Sequence, residues 1–382
     1  MTARRASPAA GHLTATHARR GPSIVPRVAL FSRGRAAGRA SSAQAQAIDD
    51  FWSWWREAGS AALAAAIADG DPHRMVDEIG RRVSAVHPKL SWETGPGRDR
   101  QHTLTVTSEG DPELRAVARR WLRAAPAGAD ADPVWEFTDV RQPAADLAGM
   151  SLGIAGHTVD TDSVLVTAQV RGAEADVTVY HPAFADLPEQ ARAQVAFIVL
   201  DWVLGEVGVE TWVGEVTTAT LEPLDAFPLA GLTAVVDELG RRYVGEDGRP
   251  VWALLQGTGP DGLPVVAAAQ IPLKAVTAPE LDTYVQVQVP FTERNEGGLP
   301  EPGTLDALRA LEDHVTARLE GSGRVVAHQT HAGVRVLHVY VDGGTPAVEQ
   351  VRAAVGGWAQ GRVQVESHPD PGWRAVAHLR AG

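Results

Sequence analysis

The first residues with a reactive pattern are Gly149–Gly153, which read Gly-Met-Ser-Leu-Gly and match the G-x-S-x-G pattern of a serine nucleophile. That chemistry needs a strand before the serine and a helix after it, so that the hydroxyl projects from a sharp turn. Here the pattern predicts a strand after Ser151. His157 and Asp160 would lie on that one strand and point along the chain without converging. We therefore interpret the match as chance and assign no catalytic residue.

Four histidines near the C-terminus raise the possibility of a metal site, which would require three converging ligands. They are His314, His328, His331 and His338. If a hairpin turn is centred on Ala332-Gly333, His338 lies opposite Ala327 and shares its face. His328 then points to the other face, because side chains alternate along a strand. This separation argues against a site, and we assign no metal ligand.

Four carboxylates near Trp212 could perform acid–base chemistry or bind a divalent cation. They are Asp201, Glu206, Glu210 and Glu215. The sequence contains no calcium-loop or His-Glu-x-x-His pattern beside them. A solvated helix end and an acidic strand edge are the simpler interpretation. The glycine-rich stretch 257–262 lacks the Lys and Ser/Thr of a phosphate loop, so no cofactor is expected.

The charges are distributed unevenly over the 382 residues, whose formal net charge is −12. Residues 1–48 contain eight Arg and no Asp or Glu, which leaves 27 basic against 47 acidic residues, a net of −20, in the rest. An acidic body disfavours nucleic acid, which requires clustered cations, and favours a protein partner with a basic surface. The oligomeric state is not specified by these counts.

Two further absences in the sequence narrow the class of protein. The chain contains no Cys, which excludes disulfides, thiolate nucleophiles and cysteine-ligated metals. No apolar run approaches the roughly 18 residues of a membrane-spanning helix. We therefore expect a cytoplasmic protein without a membrane segment.

The periodicity predicts an α+β protein with four regions. Residues 1–48 are expected to form a disordered basic tail, and Asp49-Asp50 to cap the first helix. Residues 49–245 form an N-terminal α+β region with mainly antiparallel sheet. The order strand, strand, helix, strand occurs twice there, which suggests two similar halves, 49–145 and 146–245, around one sheet. Residues 246–280 form a hairpin and connector.

Residues 281–382 carry the clearest pattern. Thr283–Val289 alternates strictly between polar and apolar residues, as a half-buried strand does. The predicted elements that follow are helix Thr304–Leu319, strands Arg324–Thr330 and Val334–Val341, a helix after Thr345-Pro346, and strand Arg362–Glu366. The order βαββαβ is that of a ferredoxin-like domain. Such a domain carries both helices on one face of four antiparallel strands and leaves the other face open.

The segments Pro290–Pro300, Leu305–Glu312 and Thr330–Val341 resemble the Domain of Unknown Function 695 family, as does the trailing Asp370-Pro371-Gly372-Trp373. The resemblance covers about residues 280–380. Phe51-Trp52-Ser53-Trp54 and other stretches before residue 245 resemble the N-terminal region that often accompanies that domain. The family has no established activity to carry over. Some members are fused to a domain similar to the bacterial ribonuclease E inhibitor, which favours a binding or regulatory role.

The open sheet face is the candidate partner-binding site, because polar and aromatic residues on an uncovered face can bind a partner. Its residues are Tyr284, Gln286, Gln288, His338 and Tyr340. Packing of this face on the N-terminal region or another subunit is an equal alternative. The sequence thus favours a non-catalytic binding or regulatory module acting through protein–protein contacts. The alternative is a hydrolase or metal-dependent enzyme with a site between the N- and C-terminal domains.

Overall fold

The computed structural model describes residues 30–245 and 249–380, with side chains from residue 42 onward. The chain divides into one unit that ends at Asp139 and a second that begins at Val140. Both combine helices with mixed or antiparallel sheets, so the predicted α+β class is confirmed. None of the helices in this part of the chain combines the length and apolar character that a membrane span requires.

In the residues described from Leu30 onward, the first unit packs four α-helices and a three-stranded sheet around a tryptophan-rich core. Its elements are α1 (Leu30–Trp54), α2 (Ser60–Ala68), α3 (Val76–Val86), β1 (Ser91–Pro96), β2 (His102–Thr107), α4 (Pro112–Arg123) and β3 (Trp135–Thr138). Asp111 caps α4, because its carboxylate accepts a hydrogen bond from the Glu113 amide. The indole of Trp52 lies in the core, 4.7 Å from that of Trp121 between ring centroids.

The predicted helix start at Asp49-Asp50 is wrong, because α1 begins at Leu30 and continues through both residues. The preceding residues are rich in Ala, Gln and Arg, which have high helix propensity and extend the helix upstream. Ile48, assigned to the tail, is buried in the core of this unit. Residues 1–29 of the predicted tail lie outside the described residues.

The second unit begins with a two-stranded hairpin and a four-stranded sheet. The elements are β4 (Ser151–Ile154), β5 (His157–Asp160), β6 (Leu165–Arg171), β7 (Glu174–Tyr180), α5 (Glu189–Trp212), β8 (Val213–Ala219), β9 (Phe227–Pro228) and α6 (Leu232–Tyr243). Strands β4 and β5 form the hairpin, and the sheet has the order β8-β7-β6-β9. Helix α5 kinks at Gly205 (φ 69°) and then resumes to Trp212.

The predicted order strand, strand, helix, strand is present in both units, as β1-β2-α4-β3 and β6-β7-α5-β8. In each case the last strand lies parallel to the strand before the helix. A helical crossover is what allows two such strands to run parallel. The two sets form separate sheets, however, and the expectation of one shared sheet is wrong.

The C-terminal part of the second unit is a six-stranded antiparallel sheet with two helices. Its elements are β10 (Val251–Thr258), β11 (Pro264–Ile271), β12 (Thr283–Pro290), α7 (Pro302–Leu319), β13 (Gly323–His331), β14 (Val334–Val341), α8 (Ala347–Ala354) and β15 (Gln364–Pro369). The strand order is β10-β11-β13-β14-β12-β15. The predicted order of elements is confirmed, but the sheet has two strands more than expected, because the hairpin β10–β11 pairs with β13.

Both faces of this sheet are packed. Helices α7 and α8 cover one face through a cluster that includes Val285, Val339 and Leu308. The other face packs against the segment 272–282 and against residues Asp370–Arg380, which we call the C-terminal cap. The register follows from the Ala332-Gly333 turn, where both residues have positive φ, as the preferred two-residue hairpin turn requires.

Candidate functional site

The serine pattern at Gly149–Gly153 lacks the surroundings of a nucleophile. Ser151 begins β4, so a strand follows it as predicted, and that strand turns back into β5. His157 and Asp160 therefore lie on the opposing strand, with Asp160 directly across from Ser151. The expectation that all three share one strand is wrong, because the chain reverses at Ala155-Gly156, both at positive φ.

A histidine does lie beside Asp160, but both of its ring nitrogens have partners. His181 is buried, and its Nε2 lies 3.5 Å from the Asp160 carboxylate. Its Nδ1 accepts a hydrogen bond from the Ala183 amide at 3.1 Å. Hydrogen bonds from Ser163, more than the one from His181, lower the pKa of Asp160. This imidazole therefore has no free nitrogen with which to take a proton from Ser151.

The carboxylates near Trp212 are spread over a kinked helix and a strand. Glu206 is buried, and its carboxylate accepts a hydrogen bond from the Arg141 amide at 3.3 Å. Glu215 lies on β8, and its amide donates to Asp176. Within the described ranges, no three His, Asp or Glu side chains are placed to hold a metal ion.

His328 and His338 lie on opposite faces of the sheet, as predicted. His338 pairs with Ala327 across the β13–β14 ladder. His328 points to the helical face, where its Nδ1 lies 3.1 Å from Glu312 of α7. This arrangement confirms the separation that alternation predicted.

Glu312 also joins α7 to β14. Its carboxylate accepts a hydrogen bond from Arg335 Nη1 at 2.9 Å, and Arg335 Nε donates to Thr330 at 2.9 Å. Burial would raise the pKa of Glu312, but the hydrogen bond from His328 and the charges of His328 and Arg335 outweigh it and lower that pKa. The cluster contains a buried salt bridge that connects helix α7 to strand β14.

The predicted open face is covered. Tyr284, His338 and Tyr340 are 4%, 4% and 0% exposed. The expectation of an uncovered face is wrong, because the C-terminal cap and the segment 272–282 pack over the aromatic rings. This outcome differs from both sequence alternatives, since the covering residues belong to the same domain.

Hydrogen bonds attach the C-terminal cap to Tyr340 of this face and to the segment 272–282. The Tyr340 hydroxyl donates to Asp370 at 2.6 Å, and the Trp373 indole donates to the Leu281 carbonyl at 2.9 Å. Asp370 also accepts from the Ala375 amide at 2.8 Å. Burial would raise the pKa of Asp370, but the Tyr340 and backbone hydrogen bonds lower it. Burial and the Asp370 hydrogen bond raise the pKa of Tyr340, so it remains a donor.

His338 is held as a neutral imidazole beneath the C-terminal cap. Burial, with lesser effects from His378 and His328, lowers the pKa of His338 to about 4. Burial raises the pKa of Tyr284 to about 12, so its hydroxyl donates to His338 Nδ1, 2.7 Å away. The proton of His338 is then on Nε2, which is buried and makes no hydrogen bond within the described residues.

Gln286 and Gln288 are the partly exposed members of the predicted site. They lie on β12, where the side-chain Nε2 of Gln288 donates to the side-chain Oε1 of Gln286 at 3.0 Å. Partner binding at this face stays a prediction. Any contact there would reach these two amides before the buried rings.

The sequence did not predict an exposed surface on strand β10, which lies at one edge of the C-terminal sheet. Strand β10 pairs with β11 alone among the described strands and forms that edge. Trp252 and Leu254 are 41% and 65% exposed, on the same face of the strand. The signal in the sequence was a long run with a single charge. Between Arg249 and Lys274, the sole charged residue is Asp261. The sequence predicted a hairpin and connector there, and the hairpin is present as β10–β11, but its exposed edge was not predicted.

These features define an α+β protein whose C-terminal antiparallel sheet buries a Tyr–His face under its own C-terminal cap and carries exposed apolar side chains on its edge strand β10. Residues 261–378 match the model of a family described as "Family of unknown function (DUF695)". The match confirms the resemblance of the C-terminal region and leaves β10 before its first residue. No curated protein and no solved structure matches the chain. The resemblance of the N-terminal region stays a prediction.

Proposed function

We propose that this protein is a cytoplasmic, non-catalytic binding or regulatory module that acts through protein–protein contacts at strand β10. The exposed, uncharged edge of the C-terminal sheet carries this proposal. Edge strands offer unpaired backbone groups to other chains, and proteins commonly protect them with charges, prolines or a covering element. The interior of β10, Trp252–Gly257, contains neither charge nor proline.

The side chains of β10 support a contact made by apolar anchors. Trp252 lies against His328, with ring centroids 5.9 Å apart, and keeps 41% of its surface exposed. Leu254, two residues on, shares its face and is 65% exposed. A tryptophan beside an aliphatic side chain is typical of the residues that dominate protein interfaces. Backbone pairing would add affinity, as in complexes formed by strand addition.

The net charge of residues 49–382 favours one kind of partner for the β10 surface. A net of −20 over residues 49–382 follows from 27 basic and 47 acidic residues. Such a surface attracts a partner with a basic periphery and repels nucleic acid. The apolar strand would then supply the contact, and the surrounding acidic surface would speed the encounter.

Affinity purification with a tagged full-length chain tests this function. The variants are Leu254→Lys, in the proposed contact, and Leu224→Lys, at a leucine that is fully exposed in the loop between β8 and β9. Both add the same charge. We expect a stoichiometric protein to be retained by the native chain and by Leu224→Lys and lost by Leu254→Lys. Equal retention of the partner by all three proteins would show that binding does not take place at β10.

A finer description of the fold accompanies this proposal. We propose that residues 281–382 form a ferredoxin-like domain to which the hairpin β10–β11 is added. The observation in its favour is the strand order β13-β14-β12-β15, which has the antiparallel arrangement of a split βαβ unit. The added hairpin places β10, and not β13, at the sheet edge.

A further inference from the structure

We propose that β10 pairs with β10 of a second copy of this protein, antiparallel and about a twofold axis, so that two C-terminal sheets become one. This inference rests on the proposed contact at β10 but names an acidic second copy as its occupant, in place of a partner with a basic periphery, because the edge itself carries almost no charge. Twofold dimers use the same surface on both subunits, so the surface must be complementary to itself. Three properties of β10 fit that requirement.

The first property is charge. Two copies of an acidic protein repel each other wherever their carboxylates approach. The stretch Pro250–Leu273, which contains β10 and β11, carries Asp261 as its sole charged residue. Asp261 lies in the loop at the far end of the hairpin, where its carboxylate is 3.3 Å from His331. The edge is therefore a place where two like-charged copies can meet with little repulsion.

The second property is register. A twofold axis through Leu254 places Leu254 opposite its own copy and Trp252 opposite Gln256 of the second copy. Residues 251–257 then all find partners within the strand. Directly opposed residues in an antiparallel pair lie on one face with Cβ atoms about 5 Å apart. An axis through Leu255 would pair as many residues, 252–258, but would set Leu254 against Gln256 instead of against its own copy.

The third property is the apolar face itself. Gln270 and Ala268 of β11 pair with Trp252 and Leu254 and share their face. Helix α7 reaches this face at His328 of β13 and leaves Leu254 largely exposed. Pairing would set the two copies of this face side by side, so that Trp252 and Leu254 of each copy form one apolar patch across the axis. Leu254 would then contact its own copy at the centre, where interface energy is concentrated.

Sedimentation equilibrium of the purified full-length protein tests the inference directly. We expect the native chain and Leu224→Lys to dimerise and Leu254→Lys to dissociate at least tenfold more readily. A twofold contact contains each substitution twice, which increases the effect. Unchanged far-ultraviolet circular dichroism would show that Leu254→Lys still folds. A native chain that stays monomeric up to high micromolar concentration would overturn the inference, as would a Leu254→Lys variant that dimerises normally.

Cysteine crosslinking tests the register in the same protein. The chain contains no Cys, so any disulfide of a single-cysteine variant joins two copies. We expect Leu254→Cys to oxidise to a covalent dimer and Leu224→Cys, the exposed control, to remain monomeric at the same dilution. Opposed strand residues are close enough for a disulfide, whose Cβ atoms lie about 4 Å apart. Equal crosslinking of the two variants would contradict a contact centred on Leu254.

The two proposals fail in different ways. A monomeric chain that still retains a different protein through Leu254 would refute self-pairing and leave the proposed function in place. A monomeric chain whose retained proteins are unaffected by Leu254→Lys would refute both. Mass spectrometry separates these outcomes, because it distinguishes an untagged copy of this chain from any other captured protein.

Discussion

The indole of Trp373 lies flat on the phenol ring of Tyr340, with ring centroids 4.4 Å apart and 20° between the planes. Both side chains are buried, at 1% and 0% exposed. A stacked pair of this kind adds roughly 0.5–1.5 kcal/mol beyond its buried area. The C-terminal cap is therefore part of the core of this domain, and the tyrosine face beneath it is an interior surface.

Replacing Trp373 with Ala should destabilise the protein by roughly 3–5 kcal/mol, because it leaves a large cavity beneath the C-terminal cap. The Leu281 carbonyl would also lose its hydrogen bond from the indole. Urea unfolding, followed by circular dichroism, measures the loss. Phe197→Ala is the control, since that aromatic ring is 43% exposed on α5, and should cost much less. Equal costs would show that the C-terminal cap is not packed as described.

Removing the hydroxyl of Tyr340 isolates one hydrogen bond of the C-terminal cap. Tyr340→Phe should lower the free energy of unfolding by about 1–3 kcal/mol, because the buried Asp370 carboxylate loses a donor at 2.6 Å. Tyr243→Phe, at a tyrosine that is partly exposed and stacks on Trp212, is the control and should change stability little. If Tyr340→Phe leaves the free energy of unfolding unchanged, the backbone donors alone are sufficient to stabilise the Asp370 carboxylate.

His338 should make the protein less stable in mild acid. Because its pKa is about 4 in the folded protein and ordinarily 6.5, the unfolded chain takes up the proton first as pH falls. Stability is unaffected by this group above pH 6.5, declines below it, and is reduced by at most roughly 3 kcal/mol once pH reaches 4. Unfolding curves at a series of pH values should fall more steeply for the native chain than for His338→Gln.

The window from pH 6.5 to 5 is the informative one for that comparison. The pKa values of Glu312 and Asp370 are lowered, so both carboxylates lose their stabilising effect at more acid pH than this window. Parallel curves for the native chain and His338→Gln within the window would mean that the imidazole is solvated in solution. The neutral, buried state of His338 would then be incorrect.

Glu312→Gln should lower the free energy of unfolding by about 3 kcal/mol or more, because it leaves Arg335 charged and buried without its carboxylate. The side chains of that pair are 16% and 6% exposed. The control is Glu349→Gln, whose pair with Arg352 is 71% and 43% exposed and should contribute well under 1 kcal/mol. Thermal or urea unfolding distinguishes the two, and similar losses would show that the Glu312 cluster is solvated.

Several features of this protein were determined by the sequence alone, because they depend on neighbours within a few residues. Strict alternation in Thr283–Val289 predicted β12, and the Ala332-Gly333 turn set the register that places His328 and His338 on opposite faces. Asp111 followed by Pro112 is a local pattern that favours a helix start, and α4 begins there. The stretch Pro250–Leu273 around β10, with Asp261 as its sole charged residue, is likewise a property of the sequence.

Only the tertiary structure decided which face of the C-terminal sheet is exposed. Tyr340 and Asp370 are thirty residues apart, and Trp373 and Leu281 ninety-two, so no local periodicity connects them. The pattern that marks a polar face is the same whether water or the C-terminal cap covers it. Likewise, pairing of β11 with β13 moved the sheet edge to β10. Burial depends on which distant segment packs where, and alternation specifies only the two sides of each strand.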